Sequence, residues 1–224
     1  MKLFDVESII SLISKLLALM LVLPIHEFAH AFAAVKSGDV TPKLYRRYTL
    51  NPLAHFDTIG LICFAFAGFG WAKPVPVNPS NFKHYKRGCF FVSVAGVTAN
   101  YLLAFIAYPL FILTSFVPNF GYFDDVLMIT FLYVFSFSLS FFVFNLIPVY
   151  PLDGFRVIDV FSKRKSKVYW FLRNQGIYVL YFLFFLSIVS DLTGVWQIDI
   201  LGFVLTKVVG IISMPITLFW GVIF

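Results

Sequence analysis

The stretch SIISLISKLLALMLVLPIHEFAHAFAAV, residues 8–35, is long and apolar enough to cross a bilayer, yet His26, Glu27 and His30 sit near its end. A spanning helix needs about 20 apolar residues. Ionisable groups at that depth are costly and tend to mark function. The composition supports the membrane reading. The 224 residues are 60% hydrophobic and 12% charged, with 30 phenylalanines, whereas an ordinary soluble domain is about 45–50% apolar and about 25% charged. The first apolar stretch runs straight into the His/Glu cluster with no small-residue cleavage site, so it is not expected to be a removable signal.

Working outward, further spans are expected over 89–117, 126–148, about 170–189 and 197–223, the last either one helix or a hairpin broken at Lys207 and Pro215. Pro24 is expected to kink the first span. Residues 59–70 are too short to span, and WAKPVPVNP resists helix through its prolines. We therefore expect 58–78 to be a re-entrant or β-like segment, which needs protein or a polar cavity to satisfy its backbone. The fold class is an all-α polytopic membrane protein of about five helices. It should form one domain, with a core over 8–160 and C-terminal hydrophobic helices over 170–223. Lys and Arg concentrate in 36–87 and 156–173, whereas the connections near 118–125 and 190–199 carry acids only. The positive-inside rule then puts the N-terminus outside and the C-terminus in the cytoplasm of a multi-pass cell-membrane protein; Lys2 and Lys15 run against it. The basic residues abut spans, so anionic headgroups of the lipid bilayer explain them better than nucleic acid. Cys63 and Cys89 form no CxxC pair and read as small buried hydrophobes.

His26-Glu27-Phe28-Ala29-His30 is HExxH. Residues four apart share a helix face, so both imidazoles can bind one tetrahedral metal, and the glutamate can act as a base on water that zinc has acidified. With only four histidines and the two glutamates Glu7 and Glu27, chance gives this motif on the order of once in a thousand such chains. A catalytic zinc needs a third protein ligand. Most of the acids lie outside or in the basic connection, which leaves Asp153 and Asp159. Asp153 is favoured, because Pro148 and Pro151 break the third span beside it and Gly154 permits a tight turn.

These residues resemble the site-2 protease family of intramembrane zinc metalloproteases. HEFAH (26–30) matches its HExxH, and NLIPVYPLDG (145–154) matches its NxxPxxxLDG. The stretches between look like the short bacterial branch without a PDZ domain. AGVTAN (95–100) resembles the family's AGPxxN, with Val97 in place of proline and Asn100 kept. The resemblance covers about 20–160. It implies zinc, one per chain, on His26, His30 and Asp153, with Glu27 as the catalytic acid–base residue.

The expected function is an intramembrane zinc endopeptidase, cleaving transmembrane segments of membrane proteins near the cytoplasmic side. Asn100 and Asn145 are candidates to hold substrate, or else interhelical hydrogen bonds. His55 could ligate, orient or bind substrate, or simply cap a turn. A zinc or ion transporter would explain the ligands but not the general base, and would spread metal residues over several depths. A non-catalytic membrane scaffold with a zinc site would have no reason to keep all four site residues.

Overall fold

The computed structural model describes residues 5–60, 63, 72–116, 121–162 and 165–224. Among the described residues, five helices are long and apolar enough to cross a membrane: α1 (Val6–Ser37), α4 (Tyr85–Ser115), α5 (Tyr122–Asn145), α8 (Gly176–Thr193) and α9 (Ile200–Gly221). Shorter helices among the described residues include α2 (Thr41–Leu44), α3 (Pro52–His55), α6 (Asp153–Phe161) and α7 (Lys167–Asn174). No strands occur among the described residues. The chain is an all-α polytopic membrane protein.

Helices α1, α4 and α5 pack against one another and form the centre. Small and branched residues line the crossing, including Ala18, Val22, Ala107 and Val134. Lipid gives helices no hydrophobic reason to associate, so close van der Waals approach at small residues holds them together with interhelical hydrogen bonds such as Ser14 Oγ–H to the Val126 carbonyl at 3.1 Å. Many large apolar side chains elsewhere on the helices are exposed, as a lipid-facing surface requires. Lys15, the charge inside the first span, lies over the Tyr133 ring at 5.6 Å, a cation–π contact.

Helix α1 continues through Pro24 and is closed by Gly38 at φ 112°, whose N–H reaches the carbonyls of Ala34 and Val35. The last span is one helix that runs through Lys207 and Pro215, not a hairpin. The fourth begins later than 170, because the short α7 ends in the polar run Arg173-Asn174 and Gln175 alone separates it from α8.

Of the expected re-entrant stretch, 61–62 and 64–71 lie outside the described residues. Residues 58–60 are helical. Residues 72–78 form an extended strap, as Pro74 and Pro76 dictate. The strap is pinned at both ends. Phe56 and Ala72 form an antiparallel bridge, and the Lys73 N–H donates to the His55 carbonyl at 2.7 Å. At the far end the Asn78 N–H donates to Asp39 Oδ2 at 2.7 Å.

Asp39 is fully buried and also accepts from the Asn81 side-chain amide and from the backbone N–H and hydroxyl of Thr41. Burial alone would push its carboxyl up. The hydrogen bonds from Thr41, Asn81 and Asn78 outweigh that and hold it below the usual carboxylate value.

Candidate metal centre

His26 and His30 stand one turn apart on α1, facing α4. On α4 the same four-residue spacing recurs at Val92, Gly96 and Asn100, so one face of α4 runs along the histidine pair. Each position does something different. The Val92 carbonyl accepts a hydrogen bond from His30 Nδ1–H at 2.7 Å. That fixes the tautomer and leaves the lone pair on Nε2. Gly96 makes the room: a Cβ there would lie 2.7 Å from His26 Nε2 and closer still to His30 Nε2. Asn100, fully buried, brings its side-chain amide nitrogen to 3.0 Å from His26 Nδ1.

A carboxamide's two ends are nearly alike in shape. Exchanging the two ends would turn the oxygen toward the ring, where it would accept from His26 Nδ1–H and direct the His26 Nε2 lone pair at the same point as that of His30. The Asn100 oxygen is otherwise buried without a partner.

Asp153 arrives from the opposite side. It is the first residue of α6, just past the broken end of α5. Gly154 is demanded there by close approach, since a Cβ would run into the Leu146 and Ile147 carbonyls; its backbone is not left-handed. Asp153 Oδ2 lies 3.0 Å from His30 Nε2 and 3.5 Å from His26 Nε2, and the two Nε2 atoms are 3.0 Å apart. All three side chains are buried, and Oδ2 has no hydrogen-bond donor.

Three lone-pair atoms aimed at one point repel unless a cation lies among them. Ligands of a tetrahedral zinc at 2.0–2.1 Å stand about 3.3 Å from one another, and the observed edges bracket that value. His26, His30 and Asp153 therefore form a group that can hold a metal ion, and the donor set fits a four-coordinate zinc with one position open.

Glu27 is half-buried beside this group. Its Oε2 accepts from the Val75 N–H of the strap at 3.0 Å. A cavity of about 480 Å³ opens over the group, lined by Glu27, Asn145, Val75, Arg156 and, from α8, Tyr181 and Phe184 among others.

The lower-ranked candidates divide. Asn145 lines the cavity, though its amide N–H is spent on the Phe141 carbonyl of its own helix at 3.0 Å. Asn100 does not line the cavity; it sits behind His26 and orients it. His55 does not line it either. Its ring is fully buried, with Nε2 at 2.8 Å from the Thr49 carbonyl, which closes the turn before α3. Asp159, the other acid considered for the third ligand, accepts instead from the Tyr169 hydroxyl.

Sequence reading missed Gly96, Val92 and the strap amide of Val75. The four-residue step from Gly96 to Asn100 was the signal available for the first.

No family model matches the chain, and no solved structure matches it. A protein of Bacillus subtilis (strain 168) named "Putative zinc metalloprotease YwhC" is 41% identical over 143 residues, 60% of this chain and 62% of the relative. The chain thus spans less than two thirds of that relative's length.

Proposed function

We propose that this chain is an intramembrane zinc endopeptidase of the site-2 protease type, which cuts transmembrane segments of membrane proteins near the cytoplasmic side. One observation carries the reading: the HExxH imidazoles and the Asp153 carboxylate converge within 3.0–3.5 Å, with Glu27 beside them at a cavity. The relative's name points to the same chemistry, and the five apolar helices give it a membrane setting.

His26, His30 and Asp153 would hold the zinc. Zinc bound there supplies Lewis acidity to the scissile carbonyl and to water. Glu27 takes the proton from water and hands it to the leaving amine. The Val75 N–H occupies one of its oxygens and fixes the carboxylate's aim, leaving the other to move the proton. Val92 and Asn100 keep both imidazoles turned so that Nε2 faces the metal, as partners behind metal-bound histidines do. Asn145, Tyr181 and Phe184 meet the substrate segment at the cavity wall.

Residues 8–160 act as the catalytic core of a single domain. His30 lies seven residues before the end of α1, hence about 10 Å along the axis from that end. The basic connections adjoin that end, so the cut falls toward the cytoplasm, with the N-terminus outside and the C-terminus inside.

The test is co-expression with a panel of single-span membrane proteins. Cleavage should occur with the parent chain, fail with Glu27→Gln although zinc is retained, and fail with His30→Ala together with zinc. General-base steps contribute roughly 10²–10⁴-fold, so Glu27→Gln cleaving near the parent rate would overturn the mechanism. A transporter would tolerate that change.

A further inference from the structure

Behind the strap lies a second cavity of about 810 Å³. Its walls are the strap, the first turns of α4 and the helix α6. Val77, Phe82, Val160 and Phe161 make much of it apolar, and besides Arg156 its charged lining is the opposed pair Lys86 and Asp159. Three residues, Pro74, Val75 and Arg156, line both this cavity and the one over the metal group, so they form the partition between the two.

Arg156 is the one Lys or Arg among the described residues lining the metal-side cavity. Its guanidinium NH1 lies 3.6 Å from Asp153 Oδ1, on the side away from the histidines. That is a loose contact, and the side chain is 43% exposed. A guanidinium carries five N–H donors in a planar fork suited to a carboxylate. Arg156 borders both cavities.

Peptide hydrolysis adds water across the C–N bond and leaves an amine on one fragment and a carboxylate on the other. The carboxylate forms at the metal group, beside the one cation in that cavity's lining.

We propose that Arg156 is the receptor for this new carboxylate, and that the second cavity holds the apolar residues preceding it, making it a product site for a carboxylate-ended apolar peptide. The proposal rests on the proteolytic reading above. Charge complementarity selects the carboxylate fragment over the amine fragment. The cavity's size is that of ordinary ligand sites, about 300–1,000 Å³. Product held there is drawn away from the α8 wall, where Tyr181 and Phe184 border the metal-side cavity.

Cys89 lines the second cavity and gives a readout that needs no turnover. Full-length Cys63→Ser protein carrying Glu27→Gln, in detergent, is labelled with N-ethylmaleimide in the presence of acetyl-Leu-Val-Phe with either a free carboxylate or a C-terminal amide. The acid should protect Cys89 at about 10-fold lower concentration than the amide, the range expected of a charge-assisted hydrogen bond. The preference should persist after chelation, which excludes binding of the carboxylate to metal. It should vanish in Arg156→Gln and survive in part in Arg156→Lys, which keeps the charge but not the fork.

Equal protection by acid and amide, a preference retained in Arg156→Gln, or no protection by either peptide overturns the product site. Absence of Glu27-dependent cleavage in the co-expression test overturns the protease reading instead, so the two failures are separable.

Discussion

Gly96→Ala tests the metal centre through a single methyl group. The added Cβ would stand 2.5 Å from His26 Cε1 and 2.7 Å from His26 Nε2, with His30 Nε2 nearer still. Ordinary carbon contacts lie at about 3.5–4.0 Å, so the rings must retreat by roughly 1 Å. Zinc ligation tolerates about 0.2 Å. The backbone offers little relief, because α1 and α4 are packed at this crossing and the Val92 carbonyl ties His30 to the same face. At least one imidazole should leave the metal, and zinc affinity should fall by about 100-fold or more, about 2.8 kcal/mol at 1.4 kcal/mol per decade. The fold should survive, since alanine is favoured over glycine inside a helix by about 1 kcal/mol. The assay is zinc per chain on purified protein, paired with melting temperature before and after chelation. Parent protein should lose stability on chelation, because a ligand that binds only the folded state stabilises it; Gly96→Ala should show little zinc and little response. Gly210→Ala is the control, since its Cβ meets nothing within 4 Å. Parent-like zinc content and chelator response in Gly96→Ala would refute the geometry described here.

Three further outcomes are expected. Asn100→Leu should lower zinc affinity by about 10–100-fold, as loss of a partner behind a ligand does, while Asn100→Asp, which can only accept from His26 Nδ1–H, should keep most of it; equal damage from both, measured by competition with a chelator, would reverse the carboxamide assignment. Asp39→Asn should cost about 1–3 kcal/mol by weakening buried charge-assisted bonds and should expose 72–81 to limited proteolysis; because the folded Asp39 carboxyl is held below its unfolded value of about 3.9, the parent's advantage should be whole above that value and disappear as pH falls through the lower folded one, and an advantage unchanged at low pH would refute the staple. Single cysteines at Ser80, Asn119 and Ser166 in a Cys63→Ser/Cys89→Ser background should react with an impermeant reagent in intact cells only at Asn119, and labelling at Ser80 would overturn the orientation.

How much of this was legible beforehand follows from where each piece of information sits in the chain. The five spans and the HExxH pair depend on short-range pattern, apolar run length in one case and the i, i+4 face in the other, so both could be read directly. Asp153 could be reached because acids are scarce and prolines mark the broken end of α5. Val92 could not, since its contribution is a backbone carbonyl, which every residue has. Gly96 contributes the absence of a side chain, and its consequence depends on rings more than sixty residues away. Asn100 showed as a polar residue in a span, but whether it faces substrate or a histidine is settled by the rotation of α4 against α1. The start of α8 was misplaced because hydropathy alone does not register that Arg173, Asn174 and Gln175 end one helix before the next begins.

The strap shows the same limit from the other side. In the sequence, Asp39 is one acid in a basic connection. In the structure it is fully buried, and four donors from Thr41, Asn78 and Asn81 converge on it. Those bonds fix one end of 72–78, and the bridge of Phe56 with Ala72 fixes the other. Between the two anchors the prolines at 74 and 76 keep the backbone extended, so the Val75 N–H has little freedom in where it points, and it points at Glu27. The aim of the candidate general base is thus set by an aspartate twelve residues further along the chain, through a segment whose own sequence shows only that it cannot be helical. A change at Asp39 should therefore lower the rate of cleavage more than it lowers zinc content, because the metal ligands are held by α1, α4 and α6, and only Glu27 is held by the strap.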